Sequence, residues 1–240
     1  MLCINAKQVS NDKNTTDYLK VEWCKELHWR TPPLPFAIAL ASYPGSGNTW
    51  LRYLLQQVTG IVTGSVYMDY NLRKHGFPAE NISDGSVLVV KTHQYAPSNL
   101  EQFESAVLLI RNPRDAILST HLKNLVPIPL LVHSFESLCV ALLLAMVNDT
   151  FWGVSGWAKI WRLRNSIESI VGTQALHRNQ LSRFLHLREL DDMNCALSNK
   201  EGLYKRKKKY KDFDPFSLDM YRQIDIVRRR VYTKIIESTK

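Results

Sequence analysis

Phe36-Ala-Ile-Ala-Leu-Ala-Ser-Tyr-Pro-Gly-Ser-Gly-Asn-Thr-Trp-Leu-Arg-Tyr-Leu-Leu-Gln-Gln-Val-Thr-Gly60 is the stretch whose reading decides the fold. Residues 36–42 form a nearly unbroken apolar run, the pattern of a strand buried on both faces. Pro44, Gly45 and Gly47 end it. Leu51, Leu54, Leu55 and Val58 then recur at helical spacing, and Gly60 stands where a C-terminal cap belongs. The spacing predicts strand, tight loop, helix. Small residues in such a loop let an anion reach the backbone N–H groups, and the helix N-terminus adds its dipole. The stretch reads as a cradle for a phosphate-like group.

What the loop lacks narrows its ligand. A nucleoside triphosphatase needs Gly-Lys-[Ser/Thr] at the end of its loop, with the lysine on the terminal phosphates. Here Gly47 is followed by Asn48 and Thr49, and no lysine is present. Trp50 offers a flat apolar face suited to stacking an adenine. A packing loop with a core tryptophan is the alternative on this stretch alone.

Two more apolar runs end in polar clusters. Ser86-Val-Leu-Val-Val90 runs into Lys91-Thr-His93, and Ala106-Val-Leu-Leu-Ile110 runs into Arg111-Asn-Pro-Arg-Asp-Ala-Ile-Leu-Ser119. Asn112 suits an N-cap, Pro113 a first helical position, and Asp115 the first turn. The pattern predicts an α/β fold, a P-loop-like open parallel sheet flanked by helices. Ligands of such sheets bind beyond the carboxyl ends of the strands, where all three clusters fall. Residues 63–85 read as loop-rich, residues 181–187 as a helix, and the last helix starts near Ser217 with Tyr221, Ile224, Val231 and Ile235 inward.

Lys91 and His93 are two apart on a strand end, so they point the same way. One can meet an anion while the other, an imidazole titrating near neutrality, serves as a base. A surface histidine beside a surface lysine is the plainer reading. Arg111 and Ser119 bracket a strand-to-helix turn and can converge on one phosphate through a planar fork and a hydroxyl. Arg114 and Asp115 read as a capping and ion-pair group.

The Tyr43-Pro-Gly-Ser-Gly-Asn-Thr-Trp50 run resembles the 5′-phosphosulfate loop of sulfotransferases that use 3′-phosphoadenosine-5′-phosphosulfate (PAPS). Lys-Thr-His resembles that family's catalytic strand end, which makes His93 the expected base and Lys91 a supporting charge. The Arg111–Ser119 segment resembles the family's 3′-phosphate element, whose ligands are the first arginine and the serine. Gly202 with Lys205 and Arg206 resembles the basic loop that closes over the 3′-phosphate, although the run from Lys205 to Lys211 also reads as a solvated face or an import-like cluster. The resemblance therefore implies a donor site of Pro44, Gly45, Ser46, Gly47, Asn48, Thr49, Trp50, Arg111, Ser119, Gly202, Lys205 and Arg206, with no metal. The loop variant, Thr63-Gly-Ser-Val-Tyr67 and the late Asp212-Phe-Asp-Pro-Phe-Ser217 look most like the sulfotransferase domain of WSC-domain-containing proteins. That group implies Golgi type II membrane proteins that sulfate glycans, with sialic acid as acceptor.

Two features depart from the wider family. Gly45 stands where many members carry a lysine or arginine for the transferring sulfate, and Arg52 or Lys91 is the expected substitute. Residues 162–198 hold no copy of the family's Tyr-Glu-Asp-Leu-like strand end, so the sheet is expected to lack one strand. An impaired nucleotide- or glycan-binding variant is thus an alternative to an enzyme, and a P-loop kinase a more distant one.

The 240 residues suit one domain over 36–240 with an N-terminal extension over 1–35. The net charge of +9 favours an anionic partner, glycan over small phenol on the resemblance, though nucleic acid would explain the charge equally well. Four cysteines without CxxC spacing argue against zinc; Cys24 and Cys195 could pair in an oxidising compartment. Asn14, Asn81 and Asn148 open glycosylation sequons. The first residues show no basic start ahead of an apolar core, and the apolar residues 138–147 fall short of the ~20 that span a bilayer. Made as written, the chain is expected in the cytoplasm; the resemblance points to the Golgi lumen instead.

Overall fold

A computed structural model describes residues 21–94, 102–109, 111–124, 127, 130–132, 160–163, 182–187, 193–202, 204 and 213–237. Its centre is β1, Ala37–Ser42, with every residue buried. Alternation along this strand feeds two cores. Ala37, Ala39 and Ala41 pack on one face of the sheet, while Ile38 and Leu40 pack on the other with Leu51, Leu54 and Leu55. The latter come from α1, Asn48–Thr59, which Gly60 closes at φ 73 as a left-handed cap.

Next come β2 (Gly64–Ser65), α2 (Tyr70–Lys74), β3 (Val90–Thr92), β4 (Phe103–Leu109), α3 (Pro113–Asn124) and β5 (Ile160–Leu163). Two more helices follow, α4 (Asn194–Ser198) and α5 (Leu218–Glu237). The five strands form one sheet in the order β2-β3-β1-β4-β5, with every neighbouring pair parallel. In that register Ala41 faces Thr92 and Ser42 faces Leu109. The carboxyl ends of β3, β1 and β4 are therefore level, as a shared ligand site requires.

Several boundaries differ from the sequence reading. The second strand ladders only from Val90; Val87, Leu88 and Val89 are buried, but Leu88 N–H donates to Val62 O and Gly64 N–H to Val89 O. The apolar run there marks burial rather than strand length. β4 begins three residues earlier than expected, because Phe103-Glu-Ser105 alternates buried, exposed, buried and so hides from a search for continuous apolar residues. The 63–85 interval carries β2 and α2, the latter capped by Asp69 Oδ1 on the N–H groups of Asn71 and Leu72. The expectation of a missing strand is corrected at the far edge: β5 pairs with β4 from Ala106↔Ile160 to Leu109↔Leu163. It overlaps the start of the 162–198 interval without the family's sequence there.

α3 and α5 cover the alanine face, where Ala116 and Ile117 meet Ile224, Val227 and Val231. Arg114 Nη2 lies 3.2 Å from both carboxylate oxygens of Asp225, so Arg114 is the structural ion-pair residue expected. Asn112 Oδ1 caps Arg114 N–H at 3.0 Å, and Ser217 Oγ accepts from Met220 N–H at the start of α5. Tyr221 is half-buried, and the side chain of Ile235 lies outside the described residues. Of the helix expected at 181–187, residues 182–184 are helical and residues 185–186 turn out of it. A disulfide joins Cys24 to Cys195, tying the chain ahead of β1 to α4.

Candidate active site

The loop between β1 and α1 is shaped by two left-handed glycines, Gly45 at φ 80 and Gly47 at φ 97, the second being the N-cap of α1. A Cβ at Gly45 would lie 2.5 Å from Ala116 O and 2.7 Å from Thr120 Oγ1. The loop thus sits directly on α3. Arg111 Nη1 donates to Gly45 O at 2.8 Å, and Thr120 Oγ1 to Pro44 O at 2.9 Å. Ser119 Cβ is 3.2 Å from the same Gly45 position. The first and third sequence clusters therefore meet, as their strand-end placement predicts.

The cradle suits an anion. Ser46 Oγ is buried without a hydrogen-bond partner, a hydroxyl able to donate. The first bond within α1 runs from Leu51 N–H to Gly47 O, so the N–H groups of Asn48 and Thr49 head the helix before it. Asn48 differs from a simple ligand. Its side-chain amide donates to Leu40 O at 2.9 Å and Ser42 Oγ at 3.0 Å, bracing the strand end from inside.

Ser42 also holds His93. His93 Nδ1 lies 2.7 Å from Ser42 O and 3.4 Å from Ser42 Oγ. A carbonyl only accepts, so Nδ1 carries the hydrogen and the neutral ring keeps its lone pair on Nε2. That is the tautomer a general base needs. Thr92 is buried between Lys91 and His93, which are both half-buried. Tyr67 touches both: its ring stacks on the His93 ring at 5.8 Å, and the Lys91 ammonium is 5.8 Å from its centroid. Ser42 and Tyr67 were not among the expected site residues. Ser42 carried one signal, a polar side chain closing an apolar strand.

The late loop folds back on α1. Trp50 Nε1 donates to Lys200 O at 2.7 Å, and Tyr53 Oη to Asn199 O at 2.9 Å. Gly202, at φ 35, packs so closely on the Tyr53 ring that a Cβ would come within 2.6 Å of it. Burial pushes the hydroxyl of neighbouring Tyr204 up to about 12, and that hydroxyl donates to His75 O. Gly202 is thereby brought beside Trp50's helix; Lys205 and Arg206 lie outside the described residues.

One expected charge is corrected. Arg52 is fully buried, with Nη1 2.7 Å from Glu80 Oε1, Nη2 2.8 Å from Thr63 O and Nε 3.0 Å from Thr63 Oγ1. Burial pulls its pKa down and Glu80 opposes that shift. A guanidinium committed in this way has no path to a sulfate at the loop. Lys91 is left as the expected substitute, and the contact with α3 leaves no room for a side chain at Gly45.

No family model and no solved structure matches the chain. Among curated proteins, a WSCD family member of Aedes aegypti is 36% identical over 258 aligned residues, covering 90% of the chain and 78% of that protein. WSCD family members of Drosophila pseudoobscura pseudoobscura and Drosophila melanogaster are each 37% identical, covering 83% of the chain and 66% of their own length.

Proposed function

The chain belongs to the WSCD family, and from that premise we propose that it transfers a sulfuryl group from PAPS to a hydroxyl of a carbohydrate, a sialylated glycan in particular. The observation that carries the reading is the double role of Ser42. One residue fixes His93 as the Nδ1–H tautomer and braces the loop through Asn48, so base and anion cradle form one unit. The bound nucleotide would supply the sulfuryl group and take the leaving charge on its 5′-phosphate.

This chain's own residues do the rest. The N–H groups of Asn48 and Thr49 and the Ser46 hydroxyl face the anion, where fixed dipoles act without reorganising. Arg111 and Ser119 hold the 3′-phosphate, with Gly202, Lys205 and Arg206 in the closing loop. Trp50 stacks the base. His93 Nε2 takes the proton of the acceptor hydroxyl, and Lys91 supplies positive charge. Calorimetric titration with 3′,5′-adenosine bisphosphate in the absence of metal tests the assignment. Binding is expected; its absence, or tighter binding of magnesium-ATP as a P-loop kinase would show, overturns it.

The acceptor and the compartment follow from the same reading. A net charge of +9 gathers anionic glycans, so turnover of a sialylated acceptor should fall steeply with added salt while that of a neutral phenol barely changes. The Cys24–Cys195 disulfide and the exposed sequon residue Asn81 suit the oxidising Golgi lumen. Among the described residues no helix is long and apolar enough to cross a membrane.

A further inference from the structure

His93 lies one residue past the last ladder pair of β3, Ala41↔Thr92, and its backbone N–H donates to a side chain, the Tyr67 hydroxyl. The Ser42 carbonyl fixes one ring nitrogen, and aiming Nε2 requires the backbone and the ring plane to be held as well. We infer that Tyr67 is the positioning residue for His93 and Lys91, an assignment that rests on reading His93 as the base. Its hydroxyl oxygen accepts the His93 backbone N–H at 2.9 Å. Its ring stacks on the imidazole with planes 28° apart, and the same ring lies within cation–π range of Lys91. Phenylalanine would keep the ring and lose the acceptor; leucine would lose both.

Tyr67 can act this way because it is itself held on several sides. Its N–H donates to Ser65 Oγ at 3.1 Å, and its carbonyl accepts Asn81 N–H at 3.0 Å. The preceding residue, Val66, donates its N–H to Lys91 O at 3.1 Å. Below this segment, buried Arg52 grips Thr63 through both its carbonyl and its hydroxyl, and Glu80 neutralises the guanidinium. The buried pair thus anchors the entry of β2, and Tyr67, just past the other end of that short strand, carries the anchorage across to the exit of β3. With the backbone amide tied to Tyr67 and Nδ1 tied to Ser42, the ring has one orientation that satisfies both bonds.

The test compares wild type with Tyr67→Phe and Tyr67→Leu in the full chain labelled with ¹⁵N-histidine. Long-range ¹H–¹⁵N spectra should show the wild-type His93 ring as the Nδ1–H tautomer. Tyr67→Phe should shift the His93 backbone amide, mix the two tautomers and lower kcat for sulfate transfer about tenfold, the worth of one lost hydrogen bond. Its affinity for 3′,5′-adenosine bisphosphate should match wild type, and its Tm should fall by no more than about 2–4 °C, the scale of one hydrogen bond. Tyr67→Leu should lower kcat further and move the acid limb of the pH–rate profile, as a structural role alone would not. A Tyr67→Phe protein with unchanged His93 spectrum and kcat overturns the inference. So does a kcat loss that only tracks a fall in Tm in both variants. Because the spectra need no turnover, a Tyr67-dependent tautomer in a protein without transferase activity would support the inference and refute the proposed reaction.

Discussion

Replacing Gly45 by alanine adds one methyl group at the point where the loop rests on α3, and the structure sets what that should cost. The backbone at φ 80 is left-handed, which costs a side chain about 1–2 kcal/mol. The new Cβ would sit 2.5 Å from Ala116 O and 2.7 Å from Thr120 Oγ1. Neither can yield cheaply: the first is helix backbone, and the second is bonded to both Pro44 O and Ala116 O at 2.9 Å. Overpacking of this kind costs about 1–3 kcal/mol, for a total of about 2–5 kcal/mol. For a domain of this size that is a fall in Tm of about 4–20 °C. Should the loop move away instead, it loses the Arg111 and Thr120 bonds, and the anion cradle opens. Thermal unfolding and calorimetry with 3′,5′-adenosine bisphosphate read the two outcomes separately. Gly45→Lys, which restores the charge that many sulfotransferases carry at this position, should be no better for either property. Wild-type Tm and affinity in Gly45→Ala, or tighter binding in Gly45→Lys, would refute the reasoning.

Three further perturbations probe the rest of the site. His93→Ala should leave bisphosphate affinity intact and lower sulfate transfer by ~10²–10⁴-fold in a steady-state assay; transfer near the wild-type rate would assign the base elsewhere. Arg111→Ala should weaken the bisphosphate by about 1.5–3 kcal/mol but adenosine 5′-phosphosulfate much less, and equal calorimetric losses would mean that its hold on Gly45 O is its whole contribution. Burial raises Tyr204 from 10.0 to about 12, so the folded chain keeps this proton more tightly than the unfolded one. The associated stability is complete below about pH 10 and is lost as pH rises towards about 12. Urea midpoints across that window should fall more steeply for wild type than for Tyr204→Phe, and parallel slopes would contradict the assignment.

The strand–loop–helix unit at 36–60 was legible in the sequence because its determinants are local: a run buried on both faces, glycines where φ is positive, and leucines at helical spacing. The same locality made the polar strand ends readable, and β1, β3 and β4 bring them level. Periodicity, however, reports which residues are buried and not what they meet. Arg52 shows the difference. A lone cation among Leu51, Leu54 and Leu55 reads as exposed and available, and only Glu80, 28 residues away, makes its full burial tolerable. Tyr67 reaches His93 across 26 residues, Gly202 closes on Tyr53, and Cys24 meets Cys195 across 171. β5 stayed hidden for a related reason, since an edge strand is defined by its neighbour's open hydrogen bonds rather than by an apolar run of its own. Sequence alone determined the parallel sheet and which polar clusters lie at its carboxyl ends. Which charge stays buried, which tyrosine meets the histidine and what lies against the loop were decided by tertiary structure, because each depends on a partner distant along the chain.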